Sequence, residues 1–194
     1  MGVWKFKQVV DGFLNGWSGY GWRDLTSELF TRGGAASPSI AQFRNGIYLY
    51  AFPSNQMKEV FVQFHIDHDY KLGSNLYPHI HWAANTTTAT GNVRWGFEYS
   101  VAKGHGQQAF GATTIIYSSY TFTSNQQYIH HVSEVSDGDA ISGANIEPDS
   151  VVLMRIFRDV DNDNFADTVF GITADIHYQA DRYCTKNKAP NFYV

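Results

Sequence analysis

The sequence predicts an all-β protein, an antiparallel eight-stranded jelly roll or β-sandwich preceded by an irregular N-terminal arm. Three observations predict it. Helical periodicity is absent, since no stretch longer than about ten residues places apolar side chains at i, i+3, i+4 and i+7. Period-2 alternation recurs instead, bounded by Gly, Asn, Asp and Ser clusters. Length and composition suit one well-buried domain: 194 residues, 43% hydrophobic and 16% aromatic, with only 16% charged.

Residues 1–38 read as the arm. Gly2, Gly12, Gly16, Gly19, Gly21, Gly33 and Gly34 interrupt any regular element, and Ser37-Pro38 ends it. Yet Trp4, Phe6, Phe13, Trp17, Tyr20 and Trp22 are too many aromatics for a free tail. The arm is therefore expected to dock on its own domain or on a neighbouring subunit. Trp4, Phe6, Trp17, Tyr20 and Trp22 are its candidate partner-binding residues, because such rings combine an apolar body with a hydrogen-bonding edge.

Residues 39–181 form the expected jelly-roll domain. Its strand candidates are Ile47 to Phe52, Glu59 to Ile66, Leu76 to Ala83, Asn92 to Val101, Thr113 to Thr123, Tyr128 to Val135, Val151 to Arg158 and Thr168 to Tyr178. Alternation is clearest in the fourth, where Val93, Trp95, Phe97, Tyr99 and Val101 share one face. Val60, Val62, Phe64 and Ile66 do so in the second, and Phe170, Ile172, Ala174, Ile176 and Tyr178 in the eighth. Turn chemistry separates the strands, as in Leu72-Gly73-Ser74-Asn75 and Ser136-Asp137-Gly138-Asp139. The tail, 182–194, reads as polar and extended.

Charge and cysteine content exclude several classes. The net charge is −4 with no basic run, so nucleic acid is not the expected partner. The single cysteine, Cys184, forms no intramolecular disulfide and no thiolate metal site. No apolar run approaches the roughly 20 residues of a membrane helix, and the first ten residues lack the features of a secretory signal. Synthesis in a cytoplasm, with no membrane partner, is the expectation.

The strongest chemical signal is histidine clustering. His79 and His81, in Tyr77-Pro78-His79-Ile80-His81-Trp82, lie on one face of a strand about 7 Å apart. Neutral imidazoles so placed suit one metal ion, and His177 on the last strand is a candidate third ligand. The competing reading has His79 and His81 bonded to acids such as Asp67, Asp69 or Asp175. Gly73, His79 and His81 resemble the opening of the first cupin motif. The match then fails, because Asn85 and Thr86 stand where that family expects a glutamate, and no second motif follows.

Asp159, Asp161, Asp163 and Asp167 imitate the alternate oxygens of a calcium loop. Asn164 replaces the expected glycine and Phe170 the final acid, so the competing reading is a polar hairpin tip. No nucleophile elbow, phosphate-cradling loop or His-Glu-x-x-His motif is present. The expectation is a protein that is no enzyme and needs no cofactor. His130 and His131 are adjacent on a strand, so their rings point to opposite faces.

A series of segments resembles a family of tailed-bacteriophage virion proteins. It comprises Trp22-Arg23-Asp24-Leu25, Gly34-Ala35-Ala36-Ser37-Pro38, Gly73 to Trp82, Asn92 to Tyr99, Met154 to Asp159 and Asp175-Ile176-His177-Tyr178. The resemblance implies a virion jelly-roll protein, plausibly a trimer. On that basis the leading expectation is a capsid cement or decoration protein, made in the host cytoplasm and resident on the virion. Its partners would be its own copies and the major capsid protein or other virion proteins. A tail, collar or fibre-associated protein is the alternative within the virion. A cupin-like metalloenzyme and a carbohydrate-binding module are the alternatives outside it.

Overall fold

The structure is a computed structural model and describes residues 21–181 and 184–193. Ten strands are present among them: β1 (Gly21–Ser27), β2 (Ser39–Arg44), β3 (Ile47–Phe52), β4 (Glu59–His65), β5 (Tyr77–Ala84), β6 (Gly91–Ala102), β7 (Thr114–Phe122), β8 (His131–Glu134), β9 (Val151–Arg158) and β10 (Val169–Ala180). The described residues contain no α-helix, only two 3-10 turns, Asp137–Asp139 and Gly143–Asn145.

Two antiparallel sheets face each other. One has the order β2-β3-β10-β5-β8, with β1 paired to the C-terminal half of β10. The other has the order β4-β9-β6-β7. Without β1 and β2, the sheets contain the third, tenth, fifth and eighth strands, and the fourth, ninth, sixth and seventh. Apart from the β6–β7 hairpin, consecutive strands of these eight switch from one sheet to the other, as in a double Greek key, so the fold is a jelly roll. Its eight strands are the eight that alternation identified.

The inner faces carry the apolar partners that alternation demands. Phe52, Ile80, Trp82, Val93, Trp95, Phe97, Phe122, Ile156 and Ile176 meet in one core. Val60, Val62 and Phe64 enter it from β4 as expected. In β10 the expected face is corrected at its start. A register shift between Gly171 and Thr173 inserts an extra residue. Val169 therefore joins the core, Phe170 packs outside against Phe43, and Ile172 is exposed. Gly171 faces inward, where a Cβ would lie 2.9 Å from the Phe52 ring.

Two described segments outside the expected domain pack on it. Residues 21–27 of the expected arm are strand β1, which buries Leu25 opposite Ile176. The glycines around this segment hide a short alternating run. Trp4, Phe6, Trp17 and Tyr20 lie outside the described residues. In the tail, Phe192 is buried against the rings of His68 and His105, and the Thr185 amide donates to the His68 carbonyl, so this segment docks.

The Asp-rich segment after β9 serves an internal arginine. Arg158 is 0% exposed. Its Nε and Nη2 donate to the two oxygens of Asp163 at 2.7 and 3.0 Å, and its Nη1 donates to the carbonyls of Phe52 and Asp167 at 3.0 and 2.6 Å. Asp159 pairs with Arg94 at 2.9 Å, the Asp167 carboxylate accepts from the Thr168 amide, and Asp161 is exposed. Asp159, Asp161, Asp163 and Asp167 are not among the groups of ligand side chains that converge within 4.8 Å among the described residues. Truncating Asp163 to Ala strands a buried guanidinium and should cost about 3–5 kcal/mol in urea denaturation. Added calcium should leave the melting temperature of the wild type unchanged.

Candidate functional site

Strands β5 and β10 lie side by side at the centre of the larger sheet. Their inner residues, Ile80, Trp82, Ala174 and Ile176, belong to the core. Alternation then sends His79 and His81 outward from β5, and Thr173, Asp175 and His177 outward from β10. Antiparallel pairing sets Thr173 opposite His81, Asp175 opposite His79 and His177 opposite Tyr77. On the flanks, β1 brings Asp24 opposite His177, and β8 brings Glu134 opposite His79. Residues more than 150 positions apart in sequence therefore share one patch of sheet surface.

The contacts are close. His81 Nε2 lies 3.2 Å from Asp175 Oδ2, and His79 Nε2 lies 3.8 Å from the same oxygen. His79 Nδ1 is 3.3 Å from the Tyr77 carbonyl and 3.5 Å from Glu134 Oε2. His177 bonds Glu134 through Nδ1 and Asp24 through Nε2, the latter at 2.8 Å. The His79 ring stands 4.2 Å from that of His177 and 5.0 Å from that of His81. His130 stacks on His81, with its Nε2 2.7 Å from His81 Nδ1.

Electrostatics follow from burial. His79 is 1% exposed. Loss of hydration, with the neighbouring His177 and His81, pushes its pKa down to about 4, so its imidazole is neutral at physiological pH. Burial, joined by His130, also lowers His81, against the pull of Asp175. Burial lifts Asp175 above the ordinary carboxylate range, with Asp24 adding to the rise and His81 opposing it. Among the described residues, the ion-pair partners of Asp24, Glu134 and Asp175 are histidines, with no lysine or arginine.

Two groups of three ligand side chains converge within 4.8 Å among the described residues: His79, His81 and Asp175, and Asp24, His79 and His177. The sequence pointed to His79, His81 and His177, and the structure brings them together. It gave no signal for Asp24, Glu134 and His130, which sheet register delivers. His131, as its alternation with His130 requires, points the other way, into the core beside Trp82 and Phe122. Trp22 is 58% exposed on β1, with its ring edge-on to Tyr77 at 5.5 Å.

A second histidine cluster lies elsewhere. His65, His68 and His105 approach the carboxylate of Asp149 at 3.2, 3.2 and 2.7 Å. Burial raises this carboxyl, but the bond to His105 and the charges of His68 and His65 outweigh it and hold its pKa low. These contacts tie the loop before β9 to β4, and Phe192 of the tail covers them.

No protein-family model matches the sequence, and no curated protein matches it. Several solved structures are similar. One is a carbohydrate-binding module, CBM28, specific for non-crystalline cellulose; identity is 16%, TM-score 0.34, with 79% of this chain and 84% of that chain covered. Another is the family 30 carbohydrate-binding module of a Clostridium thermocellum cellulosomal cellulase, at 11% identity and TM-score 0.34, covering 79% and 92%. A third is the infectious bursal disease virus Gt strain, at 9% identity and TM-score 0.34, covering 87% of this chain and 38% of that one. Superpositions this loose carry no functional assignment.

The His79 shift has a defined sign. Its folded pKa lies below the unfolded value of about 6.5, so the contribution it makes to stability is complete above 6.5 and is lost as pH falls through 4. In chelator-treated protein, the His79 ring proton signals should stay at their neutral positions from pH 7 to about 5.5 in NMR titration. A midpoint near 6.5 would contradict the burial assigned to it.

Proposed function

We propose that this protein is a structural component of a tailed-bacteriophage virion, a capsid decoration protein that acts as a homotrimer bound to the shell. The observation that carries this reading is an uncovered continuation of the core. Phe52 of β3 is inward, so Tyr50 and Tyr48 share its face, and register places Ile40 opposite Tyr50. Sheet residues on such a face normally lie under the opposing sheet. Here Ile40 and Tyr48 are 65% and 58% exposed, and no residue of β2 is buried. The β2–β3 hairpin projects beyond the sandwich with its apolar side open, as a surface made for a neighbouring copy.

The resemblance supports the same reading. Three of its segments, those holding Asp24, His79 with His81, and Asp175 with His177, meet at the patch described above. Burial of apolar and aromatic surface across shell joints would stabilise the assembled shell by mass action, with no chemistry required. Its partners would be its own copies and the major capsid protein, and its location the virion.

Replacing both Ile40 and Tyr48 with Ser should convert the trimer to monomer in native mass spectrometry while leaving the circular dichroism spectrum of the sandwich unchanged. A wild-type monomer at micromolar concentration would overturn the oligomer reading. A second reading, carbohydrate binding, is favoured by the exposed Trp22 with its edge-on partner Tyr77, since flat exposed rings stack on sugars. Glycan binding that disappears in Trp22→Ala would establish it in place of shell decoration.

A further inference from the structure

We propose that His79, His81 and Asp175 bind one divalent first-row transition-metal ion, of which Zn2+ is the probe, on the outer face of the larger sheet. This goes beyond the structural role above and does not depend on it. The Tyr77 carbonyl can only accept, so the His79 Nδ1 that faces it at 3.3 Å carries the proton. The Nε2 lone pair of neutral His79 is then left facing Asp175 Oδ2. His81 Nδ1 faces His130 Nε2 at 2.7 Å. With the proton of that contact on His81, its Nε2 also presents a lone pair. This nitrogen is buried and has no hydrogen-bond partner, although Asp175 Oδ2 is only 3.2 Å away.

In this tautomer three acceptors converge with no donor between them, the arrangement a cation needs; in the other, His81 Nε2 donates to Asp175 Oδ2 and the cation replaces that proton. The spacing fits. Two ligand atoms bound to a tetrahedral Zn2+ at 2.0–2.1 Å lie about 3.3 Å apart. Asp175 Oδ2 stands 3.2 Å from one nitrogen and 3.8 Å from the other, and all three atoms fall within 4.8 Å. Supporting partners are in place as well. Tyr77 and Glu134 orient His79, His130 orients His81, and the Thr173 hydroxyl lies 3.4 Å from Asp175 Oδ1. Metal ligands are held in this manner by outer hydrogen bonds that fix tautomer and ring direction. Two neutral imidazoles and one carboxylate leave a fourth position for water. The local acids Asp24 and Glu134, which have only histidine partners among the described residues, balance the added charge.

The other converging trio, Asp24, His79 and His177, makes the alternative assignment testable. Its His177 meets the Glu134 carboxylate at Nδ1 as well as Asp24 at Nε2, and Asp24 lies on the more exposed rim of the patch, so this trio is the less enclosed of the two.

The test uses the full chain after chelator treatment. Calorimetric titration with Zn2+ should give one ion per chain and a higher melting temperature. Co2+ should give visible absorption bands of a nitrogen- and oxygen-ligated ion. His81→Ala and Asp175→Asn should each weaken Zn2+ binding at least 100-fold, and His177→Ala by less than 10-fold. Circular dichroism checks that each variant folds, and Asp175→Asn, nearly isosteric, decides if His81→Ala does not. Absence of Zn2+ binding at 100 µM would overturn the proposal. So would a pattern in which His177→Ala abolishes binding and His81→Ala does not.

Discussion

The pairing of β5 with β10 is the constraint on which the rest of the structure depends. Each strand alternates over the stretch that pairs Thr173–His177 with Tyr77–His81. The inward residues, Ile80, Trp82, Ala174 and Ile176, fix the register because a one-residue slip would turn them into solvent. That register leaves no freedom to the outward residues. His79 must face Asp175, and His81 must face Thr173 with Asp175 beside it. The site is thus a by-product of core packing in a geometric sense: the same hydrogen-bond ladder that buries two aromatic layers assembles two imidazoles around a carboxylate. The extra residue between Gly171 and Thr173 lets this hold while Val169 also reaches the core.

The flanking strands complete the patch without taking part in the central packing. β1 supplies Asp24 along one edge of β10, next to the end of β3, and β8 supplies Glu134 along the far edge of β5. Both acids meet His177. The outcome is a polar, histidine-rich patch on the outer face of the sheet, while the uncovered apolar residues of β2 and β3 lie on its opposite, core-facing side. The two ends of β9 are tied down differently, by Asp149 drawing three histidines and the tail together before its start, and by Asp163 holding Arg158 among backbone carbonyls at its close.

Much of this was legible in the sequence because period-2 patterns are local. Val93, Trp95 and Phe97 mark β6 with no knowledge of its neighbours, and all eight jelly-roll strands carry some such mark. Strand β2 escapes because none of its residues is buried, so Ser39-Ile40-Ala41-Gln42-Phe43-Arg44 shows no inward set. Strand β1 escapes because only Leu25 of its seven residues is buried. His79 and His81 were legible as a pair for the same local reason. Asp24, Glu134 and His130 were not, since their arrival depends on which strands pair and in what register. Spacing alone does not show that the Asp-rich segment serves a buried arginine. Arg158 reads as the end of a strand, and only folding shows its guanidinium held by Asp163.

The central claim is that lone pairs of His79 and His81 converge on the Asp175 carboxylate. Long-range nitrogen–proton NMR of 15N-labelled protein, recorded before and after one equivalent of Zn2+, tests it most directly. The account predicts that Nε2 of His79 and of His81 shift to metal-bound values while both Nδ1 atoms keep their protons and His177 is unmoved. Ring nitrogens of His79 and His81 that ignore the ion, or a protonated Nε2 on either ring in its presence, would contradict it.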